Sequence, residues 1–139
     1  MSTEDNKAVM RRVYEEVSDQ RNLAAIDELG VPNFVFHNAS LTMQGLEAYK
    51  QYVSQFLSAF PDSHFTIEDL LAEGDSVVVR HTFRGTHQGD FMGIPPTGKS
   101  VITTGISLSR IQNGKGVEAW VNGDDLGLMQ QLGVIPSVE

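Results

Sequence analysis

The dominant spacing of apolar side chains in this 139-residue chain changes near Pro61, and that change sets the class of fold. Before Pro61 apolar residues recur every three or four positions, the repeat of a helix face; from His64 they recur every two, the repeat of a half-buried strand. Ser2-x-x-Asp5 offers a capping box ahead of Val9, Met10, Val13, Tyr14 and Val17 on one helical face, with Arg11, Arg12, Glu15 and Glu16 opposite. Asn22 is placed to cap a second, short helix over "LAAIDEL", which Gly30 stops in a left-handed position before Pro32. "NFVFHN" reads as a strand, and a third helix from Gly45 carries Leu46, Tyr49, Val53, Phe56, Leu57 and Phe60 at helical spacing.

Beyond Pro61 the segment "HFTIEDLLAEGDSVVVRHTFRGTH" is two strands joined at Glu73-Gly74-Asp75, with Val77, Val79, His81 and Phe83 on one face. "KSVITTGISLSRI" and "GVEAWVN" flank Asn113-Gly114, a hairpin signal, and "DDLGLMQQLG" closes the chain as a Gly-terminated helix. Helices, then an antiparallel meander, then a short helix predict one α+β domain over residues 1–139, its N-terminal helices packed on one face of a curved antiparallel sheet.

Composition removes several classes of function. The net charge of -8 repels phosphate backbones, and the longest basic run is Arg11-Arg12, so no nucleic acid is expected. Apolar runs such as Val77-Val78-Val79 fall far short of a membrane span, and "MSTEDNK" has no apolar signal-peptide region; the expectation is a cytoplasmic chain with no membrane partner. With no cysteine, thiolate chemistry, disulfides and Cys-ligated zinc are absent.

Gly93-Ile-Pro-Pro-Thr-Gly98-Lys99-Ser100 fits the phosphate-loop pattern letter by letter. The context opposes it: Pro95 and Pro96 remove two backbone donors, and a β-branched strand follows where the cradle needs a helix N-terminus. The segment reads instead as a proline-stiffened loop over the mouth of a pocket. His37, His64, His81 and His87 form no metal-binding pattern, and no serine lies in a G-x-S-x-G elbow. Neither a metal nor a cofactor is expected.

"RHTFRGTHQGDFMGIPPTGKSV", the "NGK" hairpin, E-x-W and "DDLGLMQQLG" together resemble the SnoaL-like polyketide cyclase family, from the first helix to residue 135. The resemblance implies a cone-shaped α+β barrel of the nuclear transport factor two-like kind, shared with ketosteroid isomerases, enclosing an apolar pocket and usually dimeric. It implies cofactor-free proton transfer on a hydrophobic carbonyl compound, as in an intramolecular aldol ring closure, and a homodimer as the assembly. In the family, positions matching Gly105 and Ser107 are polar and the catalytic Asp follows the Trp; here that position is Val121. A three-residue turn at Gln112–Gly114 pairs Ser107 with Ala119 and Gly105 with Val121 on one face, whereas a two-residue turn sets Ser107 opposite Trp120.

With the sheet carboxylate replaced, His37 and Asp124 are the candidate catalytic groups. By resemblance His37 lies where ketosteroid isomerases carry their proton-shuttling carboxylate, and histidine titrates near neutrality; the plain alternative is a strand residue bonded locally. Asp124, or Asp125 beside it, is alternatively the N-cap of the closing helix. A ligand is expected to meet Tyr14, Tyr49, His81, Phe91, Ser107, Trp120 and Val121. Tyr14 resembles the isomerases' oxyanion-binding tyrosine in location, or packs in the core; Arg80 and His81 alternate, so at most one enters the pocket. Two classes of function stay open: a cofactor-free cyclase, isomerase or lyase, and a pocket of the same fold that binds small ligands or partners without catalysis.

Overall fold

The computed structural model describes residues 2–39 and 41–136. α1 (Thr3–Arg12) runs into a π-helical stretch (Val13–Asp19), followed by α2 (Ala25–Leu29), β1 (Gly30–Asn38), β2 (Leu41–Gln44), α3 (Leu46–Ala59), β3 (His64–Glu73), β4 (Ser76–Thr86), β5 (Ser100–Gln112), β6 (Lys115–Gly123) and α4 (Asp125–Leu132). The expected capping box is formed: the Asp5 amide donates to Ser2 Oγ, and the Ser2 amide donates to Asp5 Oδ2. The widened π turn, in which the Gln20 amide donates to the Glu15 carbonyl, has no counterpart in the sequence reading. Asn22 does not cap α2 with its side chain; its backbone carbonyl accepts from the Ala25 amide instead. Gly30 is extended, not left-handed, and begins β1. A Cβ there would meet Leu46 Cδ1 at 2.7 Å, so a close approach accounts for the glycine.

The six strands form one sheet in the order β2-β1-β6-β5-β4-β3. Four neighbouring pairs are antiparallel, but β1 and β6 run parallel. The antiparallel sheet expected from sequence is therefore mixed. β1 lies far from the meander in sequence and returns beside its last strand, the kind of parallel pairing that requires a long crossover. β2 and β3 do not pair with each other, so the sheet is an open α+β sheet and not a closed barrel.

The Asn113-Gly114 hairpin resolves the register in a way neither sequence option anticipated. Both residues have positive φ, 53° and 78°, as a two-residue turn of this kind needs, and Gln112 pairs with Lys115. A bulge then shifts the register, so that Arg110 pairs with Glu118 and Ser107 with Val121. The extra residue restores the parity that the two-residue turn alone would have reversed. Gly105, Ser107, Ala119 and Val121 thus share a face, as the three-residue alternative required, but the partners are displaced by two positions.

Val77, Val79 and Phe83 of β4 point toward the helices and are almost wholly buried, as the alternating pattern predicted. Burying each such side chain contributes about 1.5–3 kcal/mol. One cluster joins these valines to Val9, Met10, Ile26, Phe34 and Phe36; a second gathers Phe60, Phe83, Val101, Leu128 and Leu132. α4 is held where β6 has ended: the Gln131 side-chain amide donates to the Ile102 carbonyl and accepts from the Ile102 amide, both at 2.8 Å, as a neighbouring strand would. Ser100 opens β5 and not a helix, in keeping with the rejection of the phosphate-loop match. No helix among the described residues is long and apolar enough to cross a membrane.

Candidate active site on the helix-facing side of the sheet

Along β1 and β6 the helix-facing side of the sheet passes from buried to exposed, whereas along β4 it stays buried through His81 and Phe83. Phe34 and Phe36 of β1, Ala119 of β6, and Val77 and Val79 of β4 are buried. Two residues further along β1 and β6, Asn38 and Val121 are only half-buried, and two beyond Val121 Gly123 is exposed. Tyr14, Tyr49, Tyr52 and Val53 face the same side from the helices and pack against the core, yet each keeps partial exposure. Two surface hollows, about 230 and 620 Å3, lie elsewhere: one beside Arg21 and Ser54, the other between the start of α1 and the Asn113 turn.

At this face Tyr14 Oη lies 3.1 Å from His81 Nδ1. His81 is buried, and burial pushes its pKa below the usual histidine value, so the imidazole is held neutral. Burial pushes the Tyr14 phenol up, keeping it protonated. Ser107 is close enough to oppose that rise, although its Oγ makes no hydrogen bond of good geometry and is buried without a partner. Phe65 packs edge-on to both rings, at 6.0 Å from Tyr14 and 5.2 Å from His81.

Gly105 explains how the imidazole fits. It pairs with His81 across β4 and β5, and a Cβ on it would lie 2.8 Å from His81 Nε2 and 3.0 Å from Cε1. Any side chain at 105 has to displace the ring. The position where the family resemblance leads one to expect a polar side chain is thus left empty, and the titratable group enters from the neighbouring strand. His81 Nε2 makes no hydrogen bond with a described residue, which leaves it free as donor or acceptor according to the tautomer. The pair can therefore move a proton at Nε2 while the phenol, fixed by Nδ1, offers a hydrogen bond to a developing oxyanion.

The other expected site residues divide by placement. Tyr49 joins Phe34 and Phe36, ring centroids 5.1 and 4.8 Å away, and burial, with Tyr14 and Tyr52 nearby, raises its pKa strongly. Val121 lies on the inner face between Ser107 and Asn38. Phe91 packs on Phe56 and Phe60 within the 87–99 loop, and other aromatic rings, Phe56 and Phe65 among them, stand between it and the Tyr14–His81 pair. His37, expected as a catalytic group, and Trp120, expected to meet a ligand, lie on the opposite face. There their rings stack at 5.0 Å and 8°, and His37 Nε2 is 2.7 Å from Glu118 Oε2. Asp124 accepts from the Gly127 amide at 2.9 Å, as an N-cap does. Arg80 points outward to Asp69, 2.6 Å away, so of the alternating pair His81 is the one that enters.

Three residues of this face had not been singled out. Asn38 follows the parity of Phe34 and Phe36, so those two phenylalanines already indicated that residue 38, not 37, continues the buried face. Tyr52 lies one helical turn from Tyr49 on the apolar side of α3. Phe65 shares the face of His81, which Ile67 opposite it marks as inward.

The sequence model of the SnoaL-like polyketide cyclase family matches residues 8–132. Among solved structures, AclR from Streptomyces galilaeus, provisionally named a hydroxylase, is 29% identical with a TM-score of 0.88, covering 99% of this chain and 87% of its own. IdmH from Streptomyces antibioticus, provisionally named a polyketide cyclase, is also 29% identical, with a TM-score of 0.80 over 92% of this chain and 98% of its own. A provisionally named SnoaL-like polyketide cyclase from Jannaschia sp. CCS1, 23% identical over 96% of this chain and 95% of its own, shares the fold with a TM-score of 0.90. No curated protein matches significantly. The family match spans nearly all of a fold whose inner face carries the tyrosine–histidine pair, and on that ground the chain belongs to the SnoaL-like polyketide cyclase family.

Proposed function

We propose that the protein performs cofactor-free acid–base chemistry on a hydrophobic carbonyl compound at the helix-facing side of its sheet. The observation that carries this reading is the 3.1 Å contact between Tyr14 and a buried His81 whose outer nitrogen is unengaged. With the proton on Nδ1 donated to the phenol oxygen, Nε2 is a base able to take a proton from carbon next to a carbonyl. Tyr14, keeping its proton, donates a hydrogen bond to the enolate oxygen. The imidazolium formed returns its proton to an alkoxide, which closes the cycle of an aldol step.

Three aspects of the environment support the assignment to His81 over His37. Burial lowers the His81 pKa, so the base is unprotonated at neutral pH. Its neighbours Tyr14, Phe65 and Ser107 are uncharged, whereas His37 is engaged with Glu118 and Thr42. Val121 and Phe65 add apolar side chains to the same face of the sheet as His81. A second reading, a pocket that binds such compounds without transforming them, draws on Val121 standing where the family has its catalytic Asp.

The test is exchange of the α-protons of 2-tetralone in deuterated buffer, followed by proton NMR. Exchange faster than in buffer, lost in His81→Gln with the ligand still bound, is the expected result. Binding without faster exchange gives the second reading; no binding rejects both.

A further inference from the structure

We infer that His87 is a pH-sensitive latch, whose imidazole holds the returning arm of the 87–99 loop only while it is neutral, so that mild acid frees that arm. The device lies outside the Tyr14–His81 pair and does not depend on the chemistry proposed there.

The loop leaves β4 at Thr86 and returns to β5 at Ser100. Its outgoing arm is fixed to the end of α3: the Gln88 and Gly89 amides donate to the Ala59 carbonyl at 3.0 and 3.1 Å, and a Cβ on Gly89 would lie 2.5 Å from the Ser58 carbonyl oxygen. The tip is a tight turn in which Phe91 and Ile94 exchange backbone hydrogen bonds of 3.0 and 2.8 Å. The returning arm is tied to His87 alone at its base. The His87 amide donates to the Lys99 carbonyl at 2.9 Å, its carbonyl accepts from the Gly98 amide at 2.8 Å, and its Nδ1 accepts from the Thr97 amide at 3.2 Å. Thr97 Oγ1 lies 3.1 Å from the same nitrogen and accepts from the Lys99 amide.

The Thr97 amide fixes the tautomer. A backbone N–H only donates, so Nδ1 keeps its lone pair and the ring proton is on Nε2. The ring is wholly buried against Phe60 and Phe91, centroids 5.5 and 6.5 Å away, and Nε2 has no hydrogen-bond partner among the described residues. A second proton has to enter at Nδ1. There it would face the Thr97 N–H, donor against donor, and leave a buried cation with no carboxylate bonded to it. The charged groups of the surrounding elements are engaged elsewhere: Asp62 accepts from the Thr86 amide and hydroxyl, Arg21 donates to the Phe60 carbonyl, Asp90 accepts from the Gly93 amide, and the Lys99 ammonium lies beside Gly133 at the end of α4. The closed arm thus binds the neutral ring and excludes the charged one, and by linkage protonation opens it. Thr86 holds the Asp62 carboxyl below the usual carboxylate range, so Asp62 stays charged over the span in which histidines titrate and does not open the base of the loop itself.

Two NMR measurements on the full chain test this. At neutral pH the ring-nitrogen shifts of His87 should report the proton on Nε2; a proton on Nδ1 would overturn the latch outright. Protection of the Thr97 amide against hydrogen exchange, corrected for the intrinsic rate and followed from about pH 8 to about pH 5, should fall about tenfold or more in the wild type, the effect of one lost hydrogen bond, while the paired amides of β4 and β5 keep theirs. In His87→Asn the side-chain oxygen replaces Nδ1 as acceptor and does not titrate, so protection of Thr97 should stay level with pH. Constant protection in the wild type, or the same fall in both chains, would overturn the switch. Should His87→Asn not fold, the wild type decides alone: protonation of the His87 ring and loss of Thr97 protection must share one midpoint, and separate midpoints would overturn the coupling.

Discussion

The two faces of the sheet each carry a histidine beside an aromatic ring, and they treat it in opposite ways. On the inner face His81 is buried among uncharged groups, contacts a phenol, and has its pKa driven down by desolvation. On the outer face half-buried His37 lies flat on Trp120, hydrogen-bonds Glu118 and Thr42, and shares the indole with Arg110, whose guanidinium carbon is 5.0 Å from the ring centroid. The first environment removes charge and leaves a nitrogen free; the second satisfies both nitrogens and gathers charges of both signs. Proton transfer suits the first. The second, with Leu71, Ile102 and Ile106 exposed on the same face, suits an interface between copies of the chain.

The largest expected effect separates the two histidines. His81→Gln should slow α-proton exchange by about 100-fold or more, the usual worth of a positioned base, with ligand affinity within a few-fold. His37→Gln should leave exchange within about twofold. The reverse outcome would assign the chemistry to the outer face. Gly105→Ala makes the same comparison without touching a titratable group. Its Cβ cannot coexist with His81 in place, so exchange should fall at least tenfold, with a loss of about 1–3 kcal/mol by denaturant titration from overpacking. Unchanged exchange in Gly105→Ala would show that the position of the ring does not matter.

The inner half of this comparison was partly legible in the sequence. The run of Val77, Val79, His81 and Phe83 fixed the face of His81, since parity holds along an unbroken strand. In β1 the histidine drew attention for its chemistry, while Phe34 and Phe36 were the better guides to direction; they send Asn38 inward and His37 out. β2 left no signal because it is four residues long and mostly exposed. The bulge between β5 and β6 shifts the hairpin by an amount set by backbone geometry, to which no side-chain pattern corresponds. The π turn carrying Tyr14 is likewise a choice among helical hydrogen-bond patterns that one apolar face does not distinguish.

On the outer face the expected homodimer is the next contrast. We propose that it forms through Trp120, Ile102 and Ile106. Ile106→Arg should weaken the dimer by about 10- to 100-fold in sedimentation equilibrium, the scale of a lost interface hot spot, while exchange activity per folded chain changes little. A wild type that sediments as a monomer at micromolar concentration removes the interface, and an Ile106→Arg chain that dimerises normally moves it elsewhere.

The smallest effects concern pH, and their signs differ for His81 and Asp125. The folded pKa of His81 lies below its unfolded value, so the unfolded chain binds the proton more readily. The stability this contributes is present above the unfolded pKa, about 6.5, and is lost as pH falls through the folded pKa. His81→Gln should therefore flatten the fall in melting temperature below about pH 6.5. Asp125 runs the other way. Burial, and next the charge of Asp124, hold its pKa above the ordinary carboxylate value, so stability is fully present below about 3.8 and lost as pH rises through the folded pKa. Because Asp125 is exposed at the rim, solvent screens the effect. Asp125→Asn should raise the melting temperature slightly at neutral pH and by progressively less in acid, with no gain left once both carboxyl states are protonated. A gain that stays constant with pH would mean that the carboxylate is not desolvated in the folded chain, and Asp125 would then be an ordinary first-turn acid of α4.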